Sequence, residues 1–261
     1  MKQSKYLQVA LEAAEKAERV ILRYFKDDIR ASLKPDQSPV TLADQESEQV
    51  IIETIKKHFP DHGFLGEETG QQNQTSEFCW IIDPIDGTKN YLRKIPTFAT
   101  QIALMHKGEL VVGVSNAPML HERMWAETRS GAYCNGSPII VSERRTLADA
   151  FLVTGGLRYF ERTNSLPMLL RLMNQTQSYR GYGDFWGYHL LAQGKADIMV
   201  EANTRIWDIA ALAVIVREAG GIVTDATGQA LSLQSNSAIA ANPQLHPQVV
   251  KIFQGFKPLP L

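Results

Sequence analysis

The sequence predicts a mixed α and β protein in two parts, an α+β half over residues 1–145 and a layered α/β half over residues 146–261. Three observations predict it. Two amphipathic helical patterns open the chain. A series of neighbouring short apolar strands with hairpin turns follows them, which makes an α+β unit. Beyond the charged stretch Ser142 to Asp149, where the boundary is placed, strand patterns alternate with helical ones, the mark of layered α/β structure.

In the first half, Ala10, Ala13, Ala17, Val20, Ile21, Tyr24 and Phe25 recur at helical spacing, so a helix is expected from about Ser4 to Phe25. Glu12, Lys16 and Arg19 form its solvated face. A second helix starts after Pro39, with Thr41 as N-cap and Asp44 at the third helical position in a capping box, and runs to about Phe59. Strands are expected at Phe64-Leu65, Phe78 to Asp83, Ala99 to His106, Leu110 to Ser115, Met124 to Glu127 and Ile139 to Val141. Lys107-Gly108 and Asn135-Gly136 supply hairpin turns. In the second half, strands are read at Phe151 to Thr154, Ser178 to Arg180, Asp197 to Glu201, Ile222 to Thr224 and Ala238 to Ala241. Helices are read at Leu166 to Asn174, Asp184 to Gln193, Trp207 to Ala219, and after Pro243.

Composition narrows the function classes. The 261 residues suit one or two domains with a substantial core. A net charge of −1 advertises no polyanion-binding surface, so nucleic acid is not an expected partner. Cys79 and Cys134 are the only cysteines, which is neither a disulfide framework nor a zinc set. Met1 to Lys5 does not look like a signal peptide, and the longest apolar run, Ile209 to Val216, is too short to span a bilayer. The expectation is a protein of a reducing compartment, most simply the cytoplasm, with no membrane partner.

The most informative stretch is Trp80-Ile81-Ile82-Asp83-Pro84-Ile85-Asp86-Gly87-Thr88. An apolar run ending in an acid delivers Asp83 to the carboxyl end of a buried strand. Pro84 is expected to end the ladder there, and Gly87 to bend the chain so that Asp86 lands near Asp83. Crowded carboxylates repel unless cations sit between them. Gly87-Thr88 offers backbone N–H groups of the kind that cradle a phosphate oxygen. Asp-Pro and Asp-Gly are also ordinary turn punctuation, so acids elsewhere matter. Glu67 and Glu68 end the run at Phe64-Leu65, and Asp208 opens the helix that Gly220-Gly221 terminates, where it suits either a metal ligand or a cap.

Together, Gly66-Glu67-Glu68, the Asp83-to-Thr88 hexamer, and Trp207-Asp208 followed by Glu218-Ala219-Gly220-Gly221 resemble the motifs of the inositol monophosphatase-like phosphatases. The resemblance runs from near Lys34 to about Asn242, in the family's order and with similar spacing. It implies a layered α-β-α-β-α sandwich with the site between the halves, a homodimer, a small phosphorylated substrate, and catalysis with two or three Mg²⁺ ions. By motif position, Glu67, Asp83 and the Ile85 carbonyl are implied to hold one cation, and Asp83, Asp86 and Asp208 a second. A third, weaker cation would share Glu67. An all-oxygen donor set suits a hard cation and disfavours zinc. Thr88 is implied to meet the attacking water, with Asp44 orienting its hydroxyl and Lys34 joining the same network. The sequence alone also makes Asp44 a helix cap, and a carboxylate can serve both ends. Glu68 follows a ligand directly and reads as its support.

Substrate choice is expected in the second half; Asp86 and Asp208 are also expected to touch the substrate, and Gly87 and Thr88 its phosphate. Arg180-Gly181-Tyr182-Gly183-Asp184-Phe185-Trp186-Gly187-Tyr188, with Leu190 to Ala192, Gly194 to Asp197, and Glu201, is similar to the histidinol-phosphate phosphatase branch, which acts in histidine biosynthesis. Histidinol carries an ammonium and an imidazole, and extra carboxylates favour a cation. Asp184 and Glu201 are the candidates, although Asp184 also fits a helix cap. Tyr182, Phe185, Trp186 and Tyr188 could stack the imidazole or pack in a core, and His189 reads as packed. An inositol monophosphatase is the alternative enzyme, and a non-catalytic regulatory protein on the same fold is the alternative from another class.

Overall fold

The computed structural model of the chain describes residues 3–26, 31–33, 39–73 and 75–259; Lys34 lies outside the described residues. α1 (Lys5–Lys26) turns Leu7, Ala10, Ala13, Ala14, Ala17 and Ile21 inward, and the four alanines let its backbone approach the sheet beneath. β1 (Ala31–Leu33) and β2 (Pro39–Thr41) form an antiparallel ribbon. Thr41 then caps α2 (Leu42–Lys56): its Oγ1 accepts the Ala43 and Asp44 N–H groups, and the Asp44 carboxylate accepts the Thr41 N–H. The helix stops at Lys56, short of Phe59, because its last turn tightens, with His58 N–H bonding to Ile55 O.

β3 (Gly63–Gly66) and β4 (Gly70–Gln72) make a hairpin around residues 67–69. β5 (Phe78–Asp86) runs parallel to β3, with Gly66 opposite Ile82, and leads through Gly87 into α3 (Thr88–Leu92). β6 (Ala99–His106), β7 (Glu109–Ala117), β8 (Glu122–Glu127), β9 (Ala132–Cys134) and β10 (Ser137–Ile139) add on antiparallel, giving the order β10-β9-β8-β7-β6-β5-β3-β4. The expected stop at Pro84 does not occur; β5 continues to Asp86. A register shift between Asp83 and Asp86 places an extra residue opposite β6, and Pro84, with no N–H to offer, is accommodated in that bulge. Its carbonyl accepts the Thr100 hydroxyl at 2.9 Å.

The second sheet holds β11 (Phe151–Thr154), β12 (Ser178–Arg180), β13 (Ile198–Glu201), β14 (Ile222–Thr224) and β15 (Ala238–Ala241) in the order β12-β11-β13-β15-β14. The first three pair in parallel and the rest antiparallel. α4 (Leu157–Arg162), α5 (Leu166–Met173) and α8 (His246–Ile252) cover one face, while α6 (Asp184–Ala192) and α7 (Ile206–Glu218) fill the space between the two sheets.

Strand alternation explains the layers. Trp80, Ile82, Ile102 and Leu104 point to α1 and α2, whereas Ile81, Ala103 and Met105 point to α6 and α7. Leu152, Ile198 and Ile239 face α5 and α8 across the second sheet, with Val153 and Met199 on the middle layer. The result is the expected α-β-α-β-α sandwich. α7 is apolar all round, from Ile209 to Val216, because a sheet lies on each side of it. Among the described residues no helix is long and apolar enough to cross a membrane.

Candidate active site

Parallel pairing of β3 and β5 is what joins the first two acids. Their carboxyl ends are neighbours, so Glu67 and Asp83 emerge side by side, and the Glu67 N–H donates to Ile82 O at 3.1 Å. Asp83 Oδ1 accepts the Ile85 N–H at 2.9 Å, which fastens the bulge. Asp86, after the bulge, accepts the Phe185 N–H at 2.8 Å from the start of α6 and the Gln101 amide at 3.4 Å. Asp208, in the first turn of α7, accepts the Arg205 N–H at 2.7 Å and the Thr204 hydroxyl at 2.9 Å. Cap and cluster member are one residue.

The electrostatics tie the four together. Burial pushes the Asp83 carboxyl well above the usual range, and the charges of Glu67, Asp86 and Asp208 push it further, with Glu67 also its hydrogen-bond partner. Burial likewise raises Asp86, helped by Asp184, Asp208 and Glu201 against the opposing Phe185 N–H. Asp208 is pushed up to about 7, by burial above all. Two carboxyls hydrogen-bond to each other only when they share a proton, so the Asp83–Glu67 contact marks a place where positive charge is wanted. Among the described residues no three His, Cys, Asp or Glu side chains are already gathered around a common point at ligand distance. Clustered oxygen donors, with Asp83, Asp86 and Asp208 raised by burial and by their neighbours, nevertheless fit a hard divalent cation, and Glu67, Asp83, Asp86 and Asp208 are the ones that could hold it.

Gly87 turns the chain at φ 91°, a conformation that glycine adopts without strain, and a Cβ there would stand 2.9 Å from Thr97 O. Thr88 follows at once. Its hydroxyl lies 3.0 Å from Ile85 O and 3.5 Å from Asp44 Oδ1, while Asp44 Oδ2 accepts the Thr41 N–H at 2.7 Å. Asp44 is therefore a cap and a neighbour of Thr88 together.

A cleft opens beside this corner, lined by Asp86, Asp184, Tyr188, Glu201, Arg205 and Asp208. Asp184 stands at φ 54°, after the N-cap Gly183, which has no side chain to cap α6; the Asp184 carboxylate lies 3.4 Å from the Asn90 amide. Left-handed backbone is tolerated by aspartate better than by most residues. Glu201 accepts the Tyr188 hydroxyl at 2.9 Å and is pushed up to about 8 by burial, then by Asp184. Phe185 is wholly buried in the middle core, and Tyr182 and Trp186 pack on that core with ring centroids 4.7 Å apart. Of the four aromatics only Tyr188 lines the cleft.

Two features escape sequence reasoning. Gln101 faces Asp83 across the ladder and reaches Asp86, a placement that no local pattern encodes. His189 is packed, as expected, but between Ser115 Oγ at 2.7 Å and Glu122 Oε2 at 3.0 Å. Burial lowers its pKa, so the ring is neutral: Nδ1–H donates to the carboxylate and Nε2 accepts the serine proton. Ser115 and His189 are fully buried, which removes them as a nucleophilic pair and leaves a tie between α6 and the large sheet.

Comparison with known proteins agrees with the geometry. The chain is 38% identical over 250 residues to a histidinol-phosphatase of Mycobacterium tuberculosis, covering 94% of this chain and 96% of that protein. It is 36% identical over 256 residues to the Nus factor SuhB of Pasteurella multocida, covering 95% of each. An inositol monophosphatase structure from Anabaena superposes with a TM-score of 0.84 at 32% identity, over 97% of both chains. The family model described as "Inositol monophosphatase family" matches residues 2–256. The chain belongs to the inositol monophosphatase family, a family of metal-dependent phosphatases.

Proposed function

We propose that the protein is a Mg²⁺-dependent phosphomonoesterase that hydrolyses L-histidinol phosphate to L-histidinol and phosphate, a step of histidine biosynthesis. The observation that carries the reading is the second pair of acids: Asp184 and Glu201 line the same cleft as Asp86 and Asp208. An acid-walled cleft suits a leaving group bearing an ammonium and an imidazole. The likeness to histidinol-phosphatases of three bacteria, at 37–38% identity, supports it.

In this reading Glu67, Asp83 and the Ile85 carbonyl would hold one Mg²⁺, and Asp83, Asp86 and Asp208 a second, with a third sharing Glu67. Bound Mg²⁺ would neutralise charge developing on the phosphoryl oxygens and make the attacking water more acidic. Thr88 would orient that water, and Glu67 with the Thr88–Asp44 pair would receive its proton; the bond from phosphorus to the ester oxygen breaks as the bond to the water oxygen forms, and the leaving alkoxide takes a proton from solvent water. The Gly87 and Thr88 N–H groups receive a phosphoryl oxygen. Asp184 takes the cationic end of the substrate and Glu201 the polar groups beside the leaving oxygen, while Glu68 supports Glu67 and Lys34 joins the Thr88–Asp44 network. Residues 1–145 thus carry most cation ligands, and residues 146–261 supply Asp208 and the specificity groups. Cys79 and Cys134 are free thiols, which agrees with a cytoplasmic home. A homodimer belongs to the proposal on the strength of the family.

A second reading has its own support. Glu201 would serve a polyol as well as an amine, and the Anabaena neighbour is an inositol monophosphatase; the Nus factor relatives favour a regulatory role. Phosphate release from L-histidinol phosphate and from inositol 1-phosphate, measured side by side with Mg²⁺, separates all three. Faster release from histidinol phosphate is expected. Preference for the inositol ester, or no release from either, rejects the proposal in favour of the second enzyme or of a regulator.

A further inference from the structure

α2 carries a second buried acid that the chemistry above does not use. Glu48 lies one turn after Asp44, and its side chain is wholly buried. Its Oε2 accepts the Glu68 N–H at 3.0 Å and its Oε1 accepts the Thr69 N–H at 2.8 Å. Both donors belong to the turn between β3 and β4, immediately after Glu67. The fit is close: a Cβ on Gly66 would stand 2.2 Å from Glu48 Oε1, so only glycine lets the carboxylate reach those two amides. Asp44, four residues earlier and on the same helix face, touches Thr88.

We infer that Glu48 is a positioning residue that sets the cation affinity of the Glu67 corner by clasping the turn that carries Glu67. The inference rests on the proposed phosphatase reading only in taking Glu67 as a cation ligand. One rigid helix then registers both sides of the site, the turn of Glu67 through Glu48 and the hydroxyl of Thr88 through Asp44. A carboxylate is needed because both partners are donors. Glutamine keeps the shape and offers only one acceptor, turning its amide N–H groups toward the other backbone N–H. Glu48 then holds one of the two amides instead of both, and the bearing of Glu67 loosens. Groups that orient a ligand in this way typically govern metal affinity about 10-fold or more.

The test is calorimetric titration of Mg²⁺, and of Mn²⁺ as a second probe, into the substrate-free protein, alongside activity at varied Mg²⁺. Glu48→Gln should weaken cation binding about 10-fold and raise the Mg²⁺ concentration for half-maximal activity equally. KM should stay near wild type, and excess Mg²⁺ should recover most of kcat. Gly66→Ala, which displaces the same carboxylate, should reproduce the shift, and it is titrated in place of Glu48→Gln if that variant does not fold. Folded variants that bind Mg²⁺ as wild type does, or that lose kcat at every Mg²⁺ concentration with unchanged binding, overturn the inference. A wild-type protein that binds no Mg²⁺ overturns it together with the phosphatase reading; one that binds Mg²⁺ and prefers another ester leaves this test intact.

Discussion

The Glu201 carboxyl is pushed up to about 8 in the folded chain, burial outweighing every other influence. In the unfolded chain a glutamate titrates at about 4.3. Between those values the folded protein keeps a proton that the unfolded chain has released, so stability falls as pH rises through the window and levels off above it. The metal-free protein, melted in chelator across a pH series, should therefore lose stability from about pH 5 to about pH 8. Glu201→Gln should flatten that slope by an amount on the order of a few kcal/mol. Superimposable slopes for the two proteins would show that Glu201 is not the source. Asp184 makes a second prediction. Its left-handed backbone argues for Asn rather than Ala as the replacement, since Asn tolerates φ 54° and loses only the charge. A hydrogen bond to a charged group contributes about 1.5–3 kcal/mol, so Asp184→Asn should lower kcat/KM for histidinol phosphate about 10- to 100-fold. Turnover of inositol 1-phosphate should hardly change, and an equal fall on both esters would remove Asp184 as the discriminating residue.

α7 lies so close to β7 that the contact leaves no room for a side chain at Gly113, where a Cβ would meet Ala211 O at 2.3 Å. Gly113→Ala must push the helix outward, and overpacking of this kind costs about 1–3 kcal/mol. Because Asp208 rides on the first turn of α7, the same variant should also bind Mg²⁺ more weakly. Denaturant unfolding and Mg²⁺ titration read the two effects, and a fully stable variant with weakened binding would refute the packing account. The sequence disclosed elements of this size where their signal was local. α1, α2 and α7 follow from apolar spacing, and the Thr41–Asp44 capping box from four residues. α3, with five residues, and α4, with six, are too short for a periodic signal, β4 carries no apolar run, and β9 has only three residues. The acids Glu67, Asp83, Asp86 and Asp208 were legible as motifs. The closeness of Asp86 to Asp83 was legible too, but the approach of Glu67 followed only from the family resemblance, because it depends on the parallel pairing of β3 with β5, a non-local choice. Glu48 was invisible for the same reason: along α2 it reads as one more polar residue, and only the docked turn makes it a buried acceptor.

At the scale of the molecule, the two sheets share one layer. The middle core takes Ile81, Ala103 and Met124 from the large sheet, Val153 and Met199 from the smaller one, and α6 and α7 between them. Neither sheet can expose this face without exposing the helices that the other also covers. Separating the halves near residue 145 would therefore uncover apolar surface on both sides at once, at roughly 25 cal/mol per Å². The chain should accordingly unfold as a single cooperative unit, although two units were legible in its sequence. Calorimetry should give one transition whose van't Hoff and calorimetric enthalpies agree. Mg²⁺, held as proposed, would strengthen the expectation, since Glu67, Asp83 and Asp86 come from the large sheet and Asp208 from α7, in the layer that both sheets cover. At about 100 times its Kd a bound ion stabilises the folded state by about 2.7 kcal/mol, and this should raise the one transition as a whole. Two resolved transitions, only one of them moved by Mg²⁺, would mean that the halves fold apart and that the cation is held by one of them alone.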